Sequence, residues 1–246
     1  MSANQNRTAI ITGASRGIGV ALAKRLAADG LAVVINYANS ASAAEDLAGE
    51  LTSQGHKALA VKADIARPDA VTALFDKTIT EFGGVDVIVN NAGVMTTQPI
   101  AEMDDATYDA MMDINVRGTF NMLREGAKHL RDHGRVINFS TTALHLKLPG
   151  YAVYNATKAA VEAMTAVYAK ELRGRQITVN AVAPGPVATE LFLSGKTDEQ
   201  VANFAKMPPL ERLGQPDDIA GVVSFLAGPD SGWVDGQTIR ANGGLA

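Results

Sequence analysis

The chain has 246 residues, 47% of them hydrophobic and 20% charged, with a net charge of -4 and no cysteine. That length and hydrophobic share suit one well-cored domain rather than a disordered segment, and the acidic balance argues against a nucleic-acid binder, which carries a basic face. The absence of cysteine removes disulfides and thiolate metal sites, and His56, His129, His133 and His145 show no metal-ligand spacing, so metal catalysis is not expected and these histidines are read as surface residues.

The opening MSANQNRTAIITG lacks a long apolar signal segment, and no stretch approaches the ~20 apolar residues of a membrane span. A soluble, cytoplasmic protein is expected. In chain order, short β-rich apolar runs read as strands over 8–12 (TAIIT), 31–36 (LAVVIN), 57–62 (KALAVK), 85–90 (VDVIVN), 135–140 (RVINFS) and 177–183 (ITVNAVA). Between them, segments such as GVALAKRLAADG and SAAEDLAGELTSQG place apolar residues at helical spacing and end at glycine. Strands without polar alternation suit a parallel sheet covered on both faces, so repeated βα order predicts an α/β doubly wound sheet. No linker or composition shift divides the chain, and a single domain over 1–246 is expected.

The first strand leads into TGASRGIGVALAKRLA, with Gly13, Gly17 and Gly19 at the turn into a helix. Glycines there let the backbone approach a pyrophosphate, and a helix N-terminus offers unpaired N–H groups and partial positive charge. Dinucleotides bind in the first βα connection of such sheets.

A second stretch, Tyr154-Asn155-Ala156-Thr157-Lys158, sets a phenol and an ammonium four residues apart, on one helix face. A neighbouring cation favours phenolate, so the pair can act on one ligand. Val153, Thr157, Ala160, Val161, Met164, Val167, Tyr168 and Leu172 follow helical spacing, and Gly174 ends the helix in a basic turn.

Four stretches, TGASRGIG, NNAG (90–93), YNATK (154–158) and PGPVAT (184–189), occur in that order. Together they closely resemble the short-chain dehydrogenase/reductase family over essentially the whole chain. The resemblance implies one Rossmann-type domain, a nicotinamide cofactor, and oxidation or reduction at an alcohol or carbonyl. It assigns Tyr154 as proton donor or acceptor, and Lys158 as the group that lowers the tyrosine's pKa and holds the nicotinamide ribose. Thr141 stands thirteen positions before Tyr154, where the family's commonest residue is serine, and is expected to polarise the carbonyl through its hydroxyl. Ser140 is offset by one residue and so faces the other way. Asn115 matches the family's helix asparagine, which holds a water joining the lysine to solvent.

The resemblance also implies a cofactor site of Gly13, Ser15, Arg16, Gly17, Ile18 and Gly19. Asp64 and Ile65 border the adenine, Asn91, Ala92 and Gly93 pass beneath the adenosine, and Pro184, Gly185, Val187 and Thr189 lie against the carboxamide. NAD sites usually carry an acid at the end of the second strand; here Asn36 and Tyr37 stand there. Arg16 supplies a positive charge and Ser40 a hydroxyl, so NADPH is expected over NADH.

For the substrate, residues 188–214 are expected to form an apolar lid, with Leu144, Leu146, Leu148 and Tyr151 approaching from the other side. The expected activity is reduction of a ketone, either a 3-oxoacyl thioester or another small apolar ketone. The alternatives are an NAD-dependent alcohol or sugar dehydrogenase and a non-catalytic cofactor sensor. An acyl carrier protein is a candidate partner, with Arg131, Arg135, Arg173 and Arg175 as its landing patch. By resemblance the chain forms a homotetramer or homodimer, with Trp233 in core or interface; neither nucleic acid nor membrane is an expected partner.

Overall fold

The computed structural model describes residues 7–246; the first six residues of the expected 1–246 domain, and of the opening segment, lie outside them. In chain order the elements are β1 (Thr8–Ile11), α1 (Ile18–Ala28), β2 (Ala32–Tyr37), α2 (Ala41–Ser53), β3 (Ala58–Lys62), α3 (Pro68–Phe82), β4 (Val85–Asn90), α4 (Asp105–Met111), α5 (Thr119–His129) and β5 (Leu130–Phe139). They continue with α6 (Ala143–Leu146), α7 (Ala152–Glu171), β6 (Thr178–Pro184), α8 (Glu190–Leu193), α9 (Asp198–Lys206), α10 (Pro216–Ala227) and β7 (Thr238–Ala241).

The seven strands form one sheet in the order β3-β2-β1-β4-β5-β6-β7, and every neighbouring pair is parallel. This is the single-domain Rossmann-type architecture. Strand alternation divides the core. Ile11, Val33, Ile35, Val87 and Val89 pack with Leu22 and Leu26 of α1, Leu47 and Leu51 of α2, and Ile219, Val223 and Leu226 of α10. Their sequence neighbours Ile10, Val34 and Ile88 point to the opposite layer, with Leu74 and Phe75 of α3, Met122 of α5 and Tyr168 and Leu172 of α7. Each such side chain, fully buried, stabilises the fold by roughly 1.5–3 kcal/mol.

Helix ends follow local chemistry. Pro68 opens α3 at its first turn, Gly83 closes it in the left-handed region at φ 81, and Gly174 takes φ 89 just beyond α7. The main departure from the expected elements is β5. It begins at Leu130, paired to Val85 across a register shift, although RDHG reads as a turn. A buried polar chain crosses the sheet beneath its carboxyl edge: Asn90 donates to Asn138 Oδ1 and Asn138 to Thr165 Oγ1, both at 2.8 Å. Among the described residues no helix is long and apolar enough to cross a membrane, and no cluster of three or more His, Asp or Glu residues could hold a metal.

Candidate active site

A cleft of about 380 Å³ opens at the carboxyl ends of the strands, and the chain reverses direction across it, because β1 is followed spatially by β2 on one side and β4 on the other. Such a switch point is where open α/β sheets bind ligands. The cleft collects Gly13, Ser15, Arg16, Gly17, Ile18, Asn36, Tyr37, Ser40, Asp64, Ile65, Asn91, Ala92 and Gly93, together with Thr141, Tyr154, Lys158, Pro184, Gly185, Val187 and Thr189. Gly19 and Asn115 do not line it.

The glycine loop fits a pyrophosphate. Gly13 and Gly17 adopt φ of 62 and 55, conformations that cost little only for glycine. A Cβ on Gly13 would stand 2.9 Å from Ala92 Cα. Gly17 caps α1 without any side-chain hydrogen bond, which leaves the first N–H groups of that helix open toward the cleft. Gly19 serves packing instead, since a Cβ there would meet Gly13 O at 2.4 Å and Ala14 Cα at 2.7 Å. Asn91 ties the loop to β4 by donating to the carbonyls of Thr12 and Gly13 at 2.8 and 3.1 Å.

At the end of β2, Asn36 presents no charge, but its amide nitrogen is committed to Ala63 O at 3.0 Å and Val61 O at 3.3 Å. It therefore clips β2 to β3 while the acid expected of an NAD site is missing. Arg16 is exposed at the cleft and forms no ion pair among the described residues.

On the other side, α7 carries Tyr154 and Lys158 one turn apart. Lys158 is buried and donates to Phe139 O at 2.9 Å, and its ammonium stands 6.0 Å from the centre of the Tyr154 ring. Thr141 lines the cleft with Tyr154, and its hydroxyl acts to lower the phenol's pKa. Ser140, as its offset implied, turns its hydroxyl elsewhere and donates to Glu162 Oε1 at 2.6 Å. Glu162 lies one turn beyond Lys158, so two bonds to α7 hold Phe139 and Ser140, the two residues before Thr141.

One expectation about this cluster needs correction. The phenol is not brought below its ordinary value: burial pushes Tyr154 up to about 12, a rise only partly opposed by the Thr141 hydroxyl and added to by Tyr151. The same burial pushes Lys158 down to about 8. Asn115, fully buried in a π-helical turn spanning Met112–Gly118, has both amide hydrogens engaged, by Val94 O at 2.9 Å and Thr157 Oγ1 at 3.1 Å. Its Oδ1 accepts from Val94 N at 2.9 Å. The side chain thus fastens the loop after β4 to α7.

The far half of the cleft lies past β4, β5 and β6. Leu146, Leu148 and Tyr151 border it as expected, whereas Leu144 does not. Sequence reasoning missed Met95, Leu191, Phe192 and Phe204 as individual lining residues; their apolar character was the signal, but chain position alone did not say which would face inward. The segment 188–214 leaves and re-enters the body at one point. Val187 bridges Gly214, with Ala188 N donating to Gly214 O and Gly214 N to Pro186 O, each at 2.9 Å.

The arginine landing patch is also corrected. Arg131 pairs with Asp86 at 3.3 Å, Arg175 with Asp132 at 2.9 Å, and Arg135 is buried against Gly228 O. Arg131 and Arg175 sit at the amino ends of β5 and β6, across the sheet from the cleft, where they cannot guide a ligand into it. Trp233 is neither core nor covered in the single chain, being 98% exposed.

Comparison with known proteins agrees with this geometry. A family model described as enoyl-(acyl carrier protein) reductase matches residues 13–246. A short-chain type dehydrogenase/reductase of Picea abies is 43% identical over 97% of this chain and 92% of its own. A versicolorin reductase of Emericella nidulans is 40% identical over 97% and 95%. Among solved structures, a blue fluorescent protein from a metagenomic library, in complex with NADPH, superposes with a TM-score of 0.93 at 36% identity over 100% of both chains. With its Rossmann sheet, its glycine cradle and its Tyr154–Lys158 pair, the chain belongs to the short-chain dehydrogenase/reductase family and is an NADP-dependent oxidoreductase that acts on carbonyl groups of small molecules.

Proposed function

We propose that the protein reduces a small apolar ketone to an alcohol, with Tyr154 as the proton donor. The observation that carries this reading is the gathering of Tyr154, Thr141 and the buried Lys158 on one cleft, set where its cofactor half meets its apolar half. NADPH, when bound, supplies the hydride; Arg16, Ser40 and Tyr37 hold the ribose-phosphate end, the open N-terminus of α1 takes the pyrophosphate, and Pro184, Gly185, Val187 and Thr189 border the nicotinamide.

A phenol held near 12 stays protonated at neutral pH, the state a donor needs at the start of reduction. Two hydroxyls, of Tyr154 and Thr141, converge on the place for a carbonyl oxygen and stabilise the charge that develops there. As Tyr154 gives up its proton, the Lys158 ammonium favours the resulting phenolate across about one helical turn. Asn115 keeps that face of α7 fixed. Residues 188–214 act as the lid over the substrate. Relatives named as a versicolorin reductase and a probable tetrahydroxynaphthalene reductase support reduction of an apolar carbonyl compound. We further assign a homotetramer or homodimer, in which exposed Trp233, Phe225 and Val167 become covered.

The test is loss of NADPH absorbance by the purified protein against a 3-oxoacyl thioester, small diketones and cyclic ketones, beside Tyr154→Phe. The variant is expected to bind NADPH as before and to lose about 10²–10⁴-fold in kcat, the span of one acid–base group. Equal turnover by both proteins would remove Tyr154 from the chemistry.

A further inference from the structure

The cleft separates sharply by charge. Of its lining residues only Arg16, Asp64, Lys158 and Glu190 are acidic or basic. Arg16 and Asp64 follow β1 and β3, on the cofactor side, and Lys158 is turned into the body against Phe139 O. The substrate half, past β4, β5 and β6, therefore keeps one formal charge, the exposed carboxylate of Glu190 at the start of α8. Among the described residues no cation lines that half, Lys196 behind Phe192 being engaged by Phe192 O, and Glu190 would repel a substrate carboxylate.

What the substrate half offers instead is aromatic rings held in fixed relative orientation. On the sheet side Tyr151 meets Tyr154 edge-on, centroids 6.5 Å apart at 69°. On the lid side Phe192 of α8 and Phe204 of α9 meet at 5.2 Å and 84°. Phe192 is held a second time: Lys196, one turn on, donates to Phe192 O at 2.7 Å and sets its ammonium 4.6 Å from the centre of the Phe192 ring. Thr197 and Gln200 close a reciprocal cap at the start of α9, which fixes the helix that carries Phe204. An aliphatic wall accepts any chain shape. Locked rings reward a flat π system, because edge and stacked aromatic contacts add to area burial and their ordering is already complete before binding.

Given the reductase reading above, we infer that the substrate is an uncharged ketone carrying a flat apolar ring, and that Phe192, latched by Lys196 and Phe204, is the residue that selects it. A 2-oxo acid meets the Glu190 carboxylate, and a polyhydroxylated sugar would set hydroxyls against Met95, Leu191, Phe192 and Phe204.

The experiment compares 1-tetralone, 2,3-butanedione and pyruvate as oxidants of NADPH in the wild type, Phe192→Ala and Lys196→Met, with calorimetric titration of 1-tetralone into each protein saturated with NADP⁺. In the wild type, kcat/KM for 1-tetralone is expected to exceed that for pyruvate by at least about a hundredfold. Phe192→Ala should raise KM and Kd for 1-tetralone about tenfold, a loss of one well-ordered ring contact, and raise KM for 2,3-butanedione, which has no ring, by a clearly smaller factor. Lys196→Met should give a smaller rise of about two- to fivefold, the value of an exposed cation–π contact. Equal losses on 1-tetralone and 2,3-butanedione would mean that Phe192 only supports the lid, and a preference for pyruvate or no calorimetric binding of 1-tetralone would overturn the substrate class. Phe192-dependent binding of 1-tetralone without turnover of any ketone would uphold ring selection and reject the reductase reading instead.

Discussion

Burial of Lys158 ties catalysis to pH in a way that can be separated from stability. The ammonium, whose ordinary value is 10.5, is pushed down to about 8 by desolvation, so it is roughly nine-tenths charged at pH 7 and loses charge about tenfold per unit above pH 8. If that charge stabilises the Tyr154 phenolate as the proton leaves, kcat/KM for NADPH at saturating ketone, which reports groups of the free enzyme, should be level below pH 7.5. It should then fall with a slope approaching minus one above 8. Tyr154 itself, raised to about 12, stays protonated throughout and cannot cause the fall. The sign for stability is opposite. Between pH 8 and 10.5 the unfolded chain holds the lysine proton more tightly than the folded one, so this group makes the fold more stable as pH rises, by about 3 kcal/mol across the window. Urea midpoints measured alongside should therefore hold or rise over pH 8–9.5 while activity drops, which excludes unfolding as the cause. A rate that is level to pH 10, or a fall that persists unchanged in an active Lys158→Arg variant whose guanidinium stays charged, would refute the reasoning.

Arg16→Ala should weaken NADPH by about tenfold, the scale of one charge-assisted phosphate contact, while NADH affinity stays within twofold; a parallel loss for both cofactors in fluorescence titration would place Arg16 elsewhere. Gly19→Ala would push a Cβ to 2.4 Å from Gly13 O and 2.7 Å from Ala14 Cα, an overpacking that costs at least 1–3 kcal/mol. A lowered melting temperature with impaired NADPH binding is the expected result, and an unchanged Tm would contradict the packing role.

Much of this protein was legible along the chain because the signals are local. Apolar runs placed β4 at its observed limits and β1, β2, β3 and β6 within a residue at each end, but no run marked β7. A strand buried on both faces needs only a short β-branched stretch bounded by turns, whereas β7 is a short edge strand. The same locality marked the glycine loop, where positive φ admits little but glycine, and the i, i+4 spacing that puts Tyr154 and Lys158 on one face. The Val187–Gly214 bridge joins the two ends of the segment proposed as the lid.

What tertiary structure alone decided is what depends on partners distant in sequence. Leu130 begins β5 because Val85 pairs with it, against a local sequence that reads as a turn. Asn36, which lines the cleft, also clips β2 to β3 because the carbonyls of Val61 in that strand and Ala63 just after it reach its amide. The arginines expected to greet a carrier protein were taken by Asp86, Asp132 and Gly228 on the wrong edge of the sheet. The Tyr154 phenol was raised rather than lowered because desolvation, a property of everything packed around it, is the largest influence on it. Sequence determines which groups are available and where the chain turns; burial and long-range pairing decide what each group is free to do, because both are sums over neighbours that no local window contains.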